Sequence, residues 1–343
     1  MDHELFMQRC IQLAKNGLDS TSPNPMVGAI LVHNNKIVSE GWHYKPGHPH
    51  AEVNAIENLQ NKSLLKECTI YVSLEPCSHY GKTPPCATRI IKEGIPKVVI
   101  GCRDTSAKVN GQGIAMLKNA GVEVIDGVLE EECKSLNRLF FLNQSLQRPY
   151  VHLKWAQSAD GYMDIERQDQ KGSYQISGPE SAVMSHTLRK RHDAILVGYK
   201  TALIDNPGLD TRKVSGNNPL RVVIDPKGQL PQNLNIFKDE NYLRIIDESH
   251  RSQAWGHGLF LNMKQPYIPN MLEELYKQGV YSLLVEGGSK TLQDFIKSNY
   301  WDEATIFRSN KWLNKGLKAQ ILSGKQMSFK QVGNDQHINL MNY

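Results

Sequence analysis

The sequence has no hydrophobic run that approaches the roughly 18 apolar residues that a membrane helix needs. Its first residues, MDHELFMQRC, include acidic residues and lack the apolar segment of a secretory signal peptide. Six cysteines among 343 residues are too few for the disulfide framework of a small secreted domain. We therefore expect a cytoplasmic protein that has no membrane partner.

The sequence also lacks the clusters of lysine and arginine that mark nucleic-acid-binding arms. The formal net charge of +5 is spread along the chain, which suits small anionic ligands better than nucleic acid. Hydrophobic residues make up 40% of the sequence and charged residues 22%, so a buried core is expected. At roughly 100–200 residues per domain, the length predicts two domains.

Strand and helix patterns alternate in both halves. In the first half AILVH and KIVSEGW predict a hairpin around Asn34-Asn35, TIYVSL and KVVIGC predict two more strands, and one long helix is expected over residues 130–146. The second half restarts with RPYVHLKW and continues with DAILVGY, PLRVVIDP, LRIID and YSLLVEGG, before a final strand near residues 303–309. This alternation predicts an α/β protein of layered domains, with residues 1–146 and 147–343 as the two domains.

The first half also contains the residue types that a zinc hydrolase needs. His50 and Glu52 stand two residues apart at the start of a predicted helix, while Cys77 and Cys86 flank the loop of PCSHYGKTPPC. A catalytic zinc ion takes three protein ligands and leaves a fourth position for water. The order H-x-E…P-C…C is typical of zinc deaminases, in which the Glu moves protons without binding the metal. We predict one zinc ion held by His50, Cys77 and Cys86, with Glu52 as the catalytic acid and base.

Each of these features has a simpler explanation when it is taken alone. Twelve histidines make a chance H-x-E pair easy to find, and cysteines near a strand end are often only small buried hydrophobic residues. His48 is interpreted as a surface histidine, because only His50 has the expected offset from Glu52. The combination, in this order and on strands and helices, favours the deaminase.

The loop between the two cysteines is long enough to cover a substrate larger than a free base. It carries His79, Lys82 and Thr83. A lysine suits a phosphate and a threonine can donate a hydrogen bond, so we predict that the loop contacts a phosphoribosyl group. The alternative for Lys82 is a solvated surface lysine.

The segments TSPNPMVGA, HAE and PCSHYGKTPPC resemble the deaminase domain of the bifunctional riboflavin-biosynthesis deaminase-reductases, over roughly the first 145 residues. The resemblance implies a cytidine-deaminase-like three-layer domain that deaminates 2,5-diamino-6-(5-phosphoribosylamino)pyrimidin-4(3H)-one. It also implies that Asn24 contacts the pyrimidine and that His79, Lys82 and Thr83 lie at the substrate. A turn-forming role is the alternative for Asn24, since Asn between prolines often bonds its own backbone.

The second half resembles the reductase domain of the same family. The segments that carry the resemblance are SADG (158–161), LRKRHDAILVGYKTALIDNPGLDTR (188–212) and VEGGSKTL (285–292). A dihydrofolate-reductase-like fold and the cofactor NADPH are thereby implied. The glycines of VEGG have a physical rationale as well, because a strand that ends in glycines before a helix leaves backbone N–H groups free to face a phosphate.

The resemblance assigns two sets of residues in this half. The substrate-binding set is Ser173, Arg189, Leu209, Arg212 and Glu286, and the cofactor-binding set is Ala156, Gln175, Thr201, Asp205, Gly287, Gly288 and Ser289. For Asp205 the alternative is a turn acid before Asn-Pro. The sequence departs from the family at SYQISG, where Gln175 replaces the usual tryptophan, and at the final segment EATIFRSNKWLNKG.

The sequence therefore predicts an enzyme that deaminates a phosphoribosyl pyrimidine and then reduces its ribosyl side chain to ribityl by hydride transfer from NADPH. A homo-oligomer, dimer or tetramer, is expected from the family. Two alternatives remain at this point. The first domain could be a nucleic-acid deaminase, since that class shares the zinc core. The second domain could be a non-catalytic oligomerisation scaffold, because Gln175 departs from the family pattern.

Overall fold

A computed structural model describes residues 2–78, 84–104, 111–167 and 171–342. Contacts between Cα atoms divide the chain into two units, Met1–Gln147 and Arg148–Tyr343. We refer to them as the N-terminal and the C-terminal unit. Within the described residues, no helix combines the length and the apolar character needed to cross a membrane.

The N-terminal unit contains five strands and six α-helices in its described part. In chain order they are α1 (His3–Ala14), β1 (Gly28–His33), β2 (Lys36–Trp42), α2 (Ala51–Asn58), β3 (Thr69–Leu74), α3 (Cys86–Lys92), β4 (Lys97–Cys102), α4 (Gln112–Asn119), β5 (Glu123–Asp126), α5 (Glu130–Leu136) and α6 (Arg138–Leu146). The five strands form one sheet in the order β2-β1-β3-β4-β5. Strand β1 is antiparallel to both of its neighbours, while β3, β4 and β5 run parallel.

The hairpin between β1 and β2 turns where the sequence predicts it. Asn34 and Asn35 have φ angles of 48° and 57°, which lie in the left-handed region. A two-residue hairpin turn of this type requires positive φ at both central positions, and asparagine tolerates it better than most residues. The predicted hairpin is therefore confirmed.

Both faces of this sheet are covered by helices. Ala29 and Leu31 of β1 belong to the core cluster under α2, α3 and α4. Ile30 and Val32 alternate with them and pack on the opposite face, in the cluster that includes residues of α1 and α5. Because successive strand residues point to opposite faces, this arrangement gives three layers, helix–sheet–helix, as predicted.

One element of this unit differs from expectation. The single helix expected over residues 130–146 is two helices, α5 and α6, that are separated at Asn137. The Asn137 side chain accepts a 2.8 Å hydrogen bond from the Met26 N–H and donates a 2.9 Å bond to the Met26 carbonyl. This buried residue therefore holds the proline-rich segment before β1, and its backbone leaves the helical conformation (φ −110°, ψ 20°).

The C-terminal unit contains eleven strands and four α-helices in its described part. They are β6 (Tyr150–Gln157), β7 (Tyr162–Asp164), α7 (Pro179–Lys190), β8 (Ala194–Gly198), α8 (Tyr199–Asp205), β9 (Leu220–Ile224), β10 (Tyr242–Asp247), β11 (Gly258–Leu261), α9 (Tyr267–Lys277), β12 (Ser282–Val285), α10 (Ser289–Lys297), β13 (Glu303–Arg308), β14 (Leu317–Lys318), β15 (Lys325–Val332) and β16 (Asp335–Met341).

Nine of these strands form one sheet in the order β11-β10-β9-β8-β12-β6-β13-β16-β15. All neighbouring pairs from β11 to β13 are parallel, and the last two pairs are antiparallel. The carboxyl ends of β9, β8, β12 and β6 therefore lie side by side at one edge of the sheet, where parallel α/β sheets bind their ligands.

The expectation that the strand near residues 303–309 is the last strand of the chain is wrong. Strand β13 (303–308) is followed by β14 and by the antiparallel hairpin of β15 and β16. The sequence KQMSFKQV of β15 is mostly polar, and most of its residues are exposed. An exposed edge strand with few apolar residues gives little hydrophobic alternation, which explains why the sequence pattern missed it.

Candidate metal centre and ligand cavity

Three elements of the N-terminal unit bring the predicted metal ligands together. His50 is the N-cap residue of α2, and Cys86 is the first residue of α3. Cys77 follows β3 by three residues, and its carbonyl accepts a hydrogen bond from the Ala87 N–H of α3. The metal cluster, as we call His50, Cys77 and Cys86, therefore lies where two helices begin beside one strand end.

The geometry of the metal cluster suits a tetrahedral ion. The Cys77 Sγ and Cys86 Sγ atoms lie 3.6 Å and 3.3 Å from His50 Nδ1, and all three ligand atoms lie within 4.8 Å of one another. Zinc–sulfur and zinc–nitrogen bonds of about 2.3 and 2.0 Å at tetrahedral angles separate neighbouring ligand atoms by roughly 3.5 Å. Two sulfurs and one imidazole are also the donor atoms that zinc prefers.

The three ligands of the metal cluster differ in how readily they lose a proton. A hydrogen bond from Cys86, together with the neighbouring His50 ring, lowers the pKa of the Cys77 thiol to about 4. The bond to Cys77 in turn raises the pKa of His50 to about 9, and the pKa of Cys86 is raised because the Cys77 sulfur lies beside it. Zinc binds thiolate and neutral imidazole, so Cys77 is ready to bind the metal, whereas His50 and Cys86 each release a proton when zinc binds.

Glu52 follows His50 by two residues and interacts with the metal cluster, but it is not one of the three ligands. It is the second residue of α2, and only 4% of its surface is exposed. Burial raises the pKa of the Glu52 carboxyl to about 7, and its interaction partners are His50, Cys77 and Cys86. A carboxyl group whose pKa lies near neutrality can both accept and donate a proton at physiological pH.

A second histidine, His43, borders the cluster and was not singled out in the sequence. Its Nδ1 lies 3.2 Å from the Pro49 carbonyl, which can only accept, so Nδ1 carries the proton. Its Nε2 is then free to accept the 3.1 Å hydrogen bond from the Asn24 side-chain amide. The His43 and His50 rings are 5.4 Å apart and nearly perpendicular. No motif flags His43, because only the fold brings it to Asn24.

Of the loop residues that the sequence assigns to the substrate in this unit, the structure describes Asn24. The Asn24 backbone N–H donates to the Thr21 carbonyl, so the turn is made by the backbone while the side chain bonds His43. His79, Lys82 and Thr83 lie outside the described residues. Their predicted contacts with a substrate stay predictions.

The C-terminal unit has a cavity of about 1000 Å³ at the strand edge formed by β9, β8, β12 and β6. This volume lies at the upper end of the range for small-molecule sites. Eight of the residues that the sequence assigned to substrate or cofactor line it, namely Ala156, Gln175, Thr201, Asp205, Glu286, Gly287, Gly288 and Ser289. Residues from four separate stretches of the chain therefore meet in one cavity.

The glycines after β12 allow close packing at the floor of this cavity. A Cβ atom on Gly287 would lie 2.7 Å from the Thr291 Cβ, and one on Gly288 would lie 2.8 Å from the Thr201 Oγ1. Gly288 is the N-cap residue of α10, and no side chain caps this end of the helix within the described residues. The first N–H groups of α10 therefore face the cavity and can bind an anion such as a cofactor phosphate.

Glu286 is held by two cations in the cavity wall. Arg189 donates hydrogen bonds of 2.9 and 2.8 Å to its two oxygens, and Lys154 Nζ lies 3.6 Å away. Burial opposes ionisation of this carboxyl, but Arg189 and Lys154 outweigh it and lower its pKa to about 2. Burial lowers the pKa of Lys154. The sequence signal for this buried cation is a lysine within the apolar strand segment YVHLKWA.

The remaining assigned residues lie elsewhere. The Arg212 side chain is 62% exposed and donates to Asp210, whose carbonyl accepts a bond from Arg189. Leu209 is buried in the core, and Ser173 is exposed and does not line the cavity. The substrate-binding roles of this group stay predictions.

Gln175 and Asp205 make contacts of their own at the cavity. The Gln175 side-chain amide donates to the Ser177 carbonyl, and Lys311 donates to the Gln175 backbone carbonyl. Burial raises the pKa of Asp205, whose carboxylate lies 3.4 Å from Arg167. Asp205 is therefore part of an ion pair at the cavity and not only a turn residue.

Comparisons with known proteins identify both units. Residues 1–102 match the family described as the cytidine and deoxycytidylate deaminase zinc-binding region, and residues 149–331 match the RibD C-terminal domain. The chain is 37% identical over 319 residues to the riboflavin biosynthesis protein RibD of Aquifex aeolicus, covering 91% of this chain and 88% of the relative. It is also 37% identical over 332 residues to RibD of Bacillus amyloliquefaciens, covering 94% and 88%. The chain belongs to the RibD family.

Solved structures agree over the whole length. A Thermotoga maritima structure named as a diaminohydroxyphosphoribosylaminopyrimidine deaminase and 5-amino-6-(5-phosphoribosylamino)uracil reductase has a TM-score of 0.87 at 35% identity and covers 99% of both chains. RibD of Acinetobacter baumannii has a TM-score of 0.86 at 31% identity with the same coverage. The fold predictions, a cytidine-deaminase-like domain followed by a dihydrofolate-reductase-like domain, are confirmed, and so is membership of this bifunctional deaminase and reductase family of riboflavin biosynthesis.

Proposed function

We propose that this chain carries out two consecutive steps on one phosphoribosyl pyrimidine. The first is zinc-dependent hydrolytic deamination of 2,5-diamino-6-(5-phosphoribosylamino)pyrimidin-4(3H)-one, and the second is NADPH-dependent reduction of the ribosyl side chain to ribityl. The domains responsible are residues 1–146 and 147–343. The metal cluster beside the buried Glu52 is the observation on which the proposal depends most.

The residues of the N-terminal unit fit a deamination. A zinc ion held by the metal cluster supplies a Lewis acid that makes a water molecule nucleophilic near neutral pH. The Glu52 carboxylate takes a proton from the attacking water and returns it to the departing amino nitrogen, as its raised pKa allows. The Asn24 side chain, which is oriented by its hydrogen bond to His43, would hydrogen-bond the pyrimidine. His79, Lys82 and Thr83 would complete the contacts with the phosphoribosyl group.

The residues of the C-terminal unit fit a hydride transfer. NADPH supplies the hydride when it is bound. Gly287, Gly288 and Ser289 would hold its pyrophosphate at the start of α10, and Thr201 and Asp205, which also line the cavity, would contact the cofactor. Ala156 and Gln175 also line the cavity and would lie where the nicotinamide meets the substrate.

The contacts of the two arginines separate their roles toward the substrate. Arg189 uses three of its nitrogens on Glu286 and the Asp210 carbonyl, so it orders Glu286 at the ribosyl group. Arg212 is largely exposed and has one bonded nitrogen, so it is better placed to reach the substrate phosphate. Ser173 and Leu209 would contact the same substrate.

A coupled assay tests the proposal. Purified protein supplied with the diaminopyrimidine substrate and NADPH should release ammonia and consume NADPH. Ammonia release without NADPH consumption would reject the reductase and support the scaffold alternative. NADPH titration followed by fluorescence is the independent check, since a scaffold would not bind millimolar cofactor.

The cellular compartment and the oligomeric state of the enzyme are also proposals. All six cysteines are free in the structure, which fits the reducing cytoplasm. A homo-oligomer, dimer or tetramer, stays an expectation that light scattering on the purified protein would test.

A further inference from the structure

In the described part of the chain, the acidic side chains that line the cavity of the C-terminal unit are all paired, whereas some of the basic side chains are not. Each carboxylate in its lining has a cationic partner: Asp164 and Asp205 pair with Arg167, Glu286 with Arg189 and Lys154, and Asp294 with Lys290. The acidic groups of the cavity are therefore already neutralised by the protein itself.

Two lysines of the lining have no such partner among the residues that the structure describes. Lys200 and Lys227 both border the cavity, and both are exposed. Among the ion pairs of the described residues, neither has a carboxylate within 4 Å. Two positive charges thus remain uncompensated in a site that the protein otherwise balances, and a dianionic ligand group would neutralise them.

These two lysines lie at the same end of the cavity. Strands β8 and β9 are hydrogen-bonded neighbours, with Gly198 opposite Ile224. Lys200 lies two residues beyond Gly198, and Lys227 lies three residues beyond Ile224. The glycines after β12 and Ala156 of β6 follow on the other side of β8, because the strand order is β9-β8-β12-β6. A dinucleotide with its pyrophosphate at Gly287 and Gly288 and its nicotinamide near Ala156 therefore places its adenosine half beside the two lysines.

The turn that carries Lys227 is fixed to the core. The Asp225 carboxylate accepts hydrogen bonds from the N–H groups of Gln229 and Leu230. The Asp225 backbone carbonyl accepts one from the Gly228 N–H. The same carboxylate pairs with Arg244, and both side chains are fully buried. Hydrogen bonds and the buried ion pair thus fix the backbone of the turn around Lys227. Only the Lys227 side chain needs to be ordered when a ligand binds.

We propose that Lys200 and Lys227 bind the 2′-phosphate that distinguishes NADPH from NADH, and that they give this enzyme its preference for the phosphorylated cofactor. The inference rests on the proposed reductase function. It explains why two cations remain free at the adenosine end of a cavity whose other charges are paired. NADH carries a hydroxyl at this position and would leave both lysines without a partner.

The test uses ligands that lack the nicotinamide, so it does not depend on turnover. The affinities of 2′,5′-ADP and 5′-AMP are measured by calorimetry on the full-length protein and on Lys200→Gln, Lys227→Gln and the double variant. We expect the wild type to bind 2′,5′-ADP more tightly than 5′-AMP. Each single variant should lose roughly tenfold in affinity for 2′,5′-ADP, and affinity for 5′-AMP should stay unchanged.

Kinetics provide the second readout and a control. The KM for NADPH should rise by about the same factors, while the KM for NADH and kcat stay constant. Lys297→Gln removes the same charge from an exposed position of α10 outside the cavity and should change none of these values. Equal losses for 2′,5′-ADP and 5′-AMP, or no loss for either, would overturn the assignment of the lysines. A wild-type protein that binds neither NADPH nor NADH would instead overturn the proposed reductase function.

Discussion

The metal cluster and the cavity of the C-terminal unit show two different ways of building a site. In the N-terminal unit three ligand atoms lie within 4.8 Å of one another, and the acid beside them is buried. In the C-terminal unit the groups line a cavity of about 1000 Å³ and come from the ends of four strands. We therefore expect each side chain of the metal cluster to be indispensable, and we expect the cavity to distribute its binding energy over many contacts.

This contrast implies that single substitutions act differently in the two units. Loss of one zinc ligand should remove an activity completely, since three ligands are the minimum for such a site. Loss of one contact in the cavity should shift a Michaelis constant and leave the reaction running. The substitutions below test this difference in order of expected effect.

Cys86→Ser should have the largest effect. A hydroxyl is a much poorer zinc ligand than a thiolate, so zinc content should fall from one per chain to near zero, and ammonia release should be lost. NADPH consumption on substrate that is already deaminated should persist, because the C-terminal unit has its own core. Elemental analysis and the two assays check this. Cys68→Ala, which changes a buried cysteine outside the cluster, should retain zinc; loss of zinc there as well would indicate general unfolding instead.

Glu52→Gln should separate proton transfer from metal binding. The amide has nearly the same shape but cannot accept a proton, so deamination should slow by roughly 10²–10⁴-fold while zinc content stays the same. Glu57→Gln, on the exposed side of the same helix, is the matched control and should keep full activity. If Glu52→Gln lost zinc together with activity, Glu52 would have a structural role.

Gly287→Ala should produce the graded effect expected of a distributed site. The added Cβ would lie 2.7 Å from the Thr291 Cβ, so α10 must shift away from β12. Overpacking of this kind costs about 1–3 kcal/mol, and we expect the KM for NADPH to rise at least roughly tenfold. Deamination should not change. A KM equal to that of the wild type would argue against pyrophosphate binding at these glycines.

The same contrast explains what could be predicted from the sequence. The metal cluster could be found because its ligands belong to short motifs, H-x-E and P-C…C, whose spacing is set by local structure. The hairpin at Asn34 and Asn35 could be found for the same reason, since the turn type depends on two adjacent residues. Local chemistry determines both features.

Features that depend on partners distant in the chain could not be predicted from the sequence. The helix break at Asn137 is made by bonds to Met26, 111 residues away, and the pairing of Arg189 with Glu286 spans 97 residues. His43 becomes part of the deaminase site only because the fold brings it to Asn24. The hairpin of β15 and β16 was missed because β15 is polar and exposed.

Stability offers a further comparison of the two units, beginning with the buried pair of Asp225 and Arg244. Asp225→Asn leaves the Arg244 guanidinium buried without a counter-charge, which should lower the free energy of unfolding of the C-terminal unit by about 3 kcal/mol. Urea unfolding followed by tryptophan fluorescence checks this, since four of the five tryptophans lie in this unit. The double variant with Arg244→Met should recover part of the loss; a variant Asp225→Asn as stable as the wild type would contradict the prediction.

The ion pair of Arg9 and Glu40 in the N-terminal unit should have the smallest effect. The Arg9 side chain donates two 2.7 Å hydrogen bonds to Glu40, but the two side chains are 41% and 32% exposed. Solvent screening therefore limits the loss for Glu40→Gln to below about 1 kcal/mol. Amide hydrogen exchange in α1 and β2, the elements that carry the pair, measures this locally.

The pH dependence of this pair has a defined sign. The hydrogen bond from Arg9 lowers the pKa of Glu40 below its ordinary value in the folded protein. The stabilisation is therefore fully present above the ordinary carboxyl pKa and is lost as the pH falls through the lowered value. Protection of α1 and β2 in the wild type should approach that of Glu40→Gln as the solution is acidified. A difference that persists or grows in acid would show that the glutamate acts through packing and not through its charge.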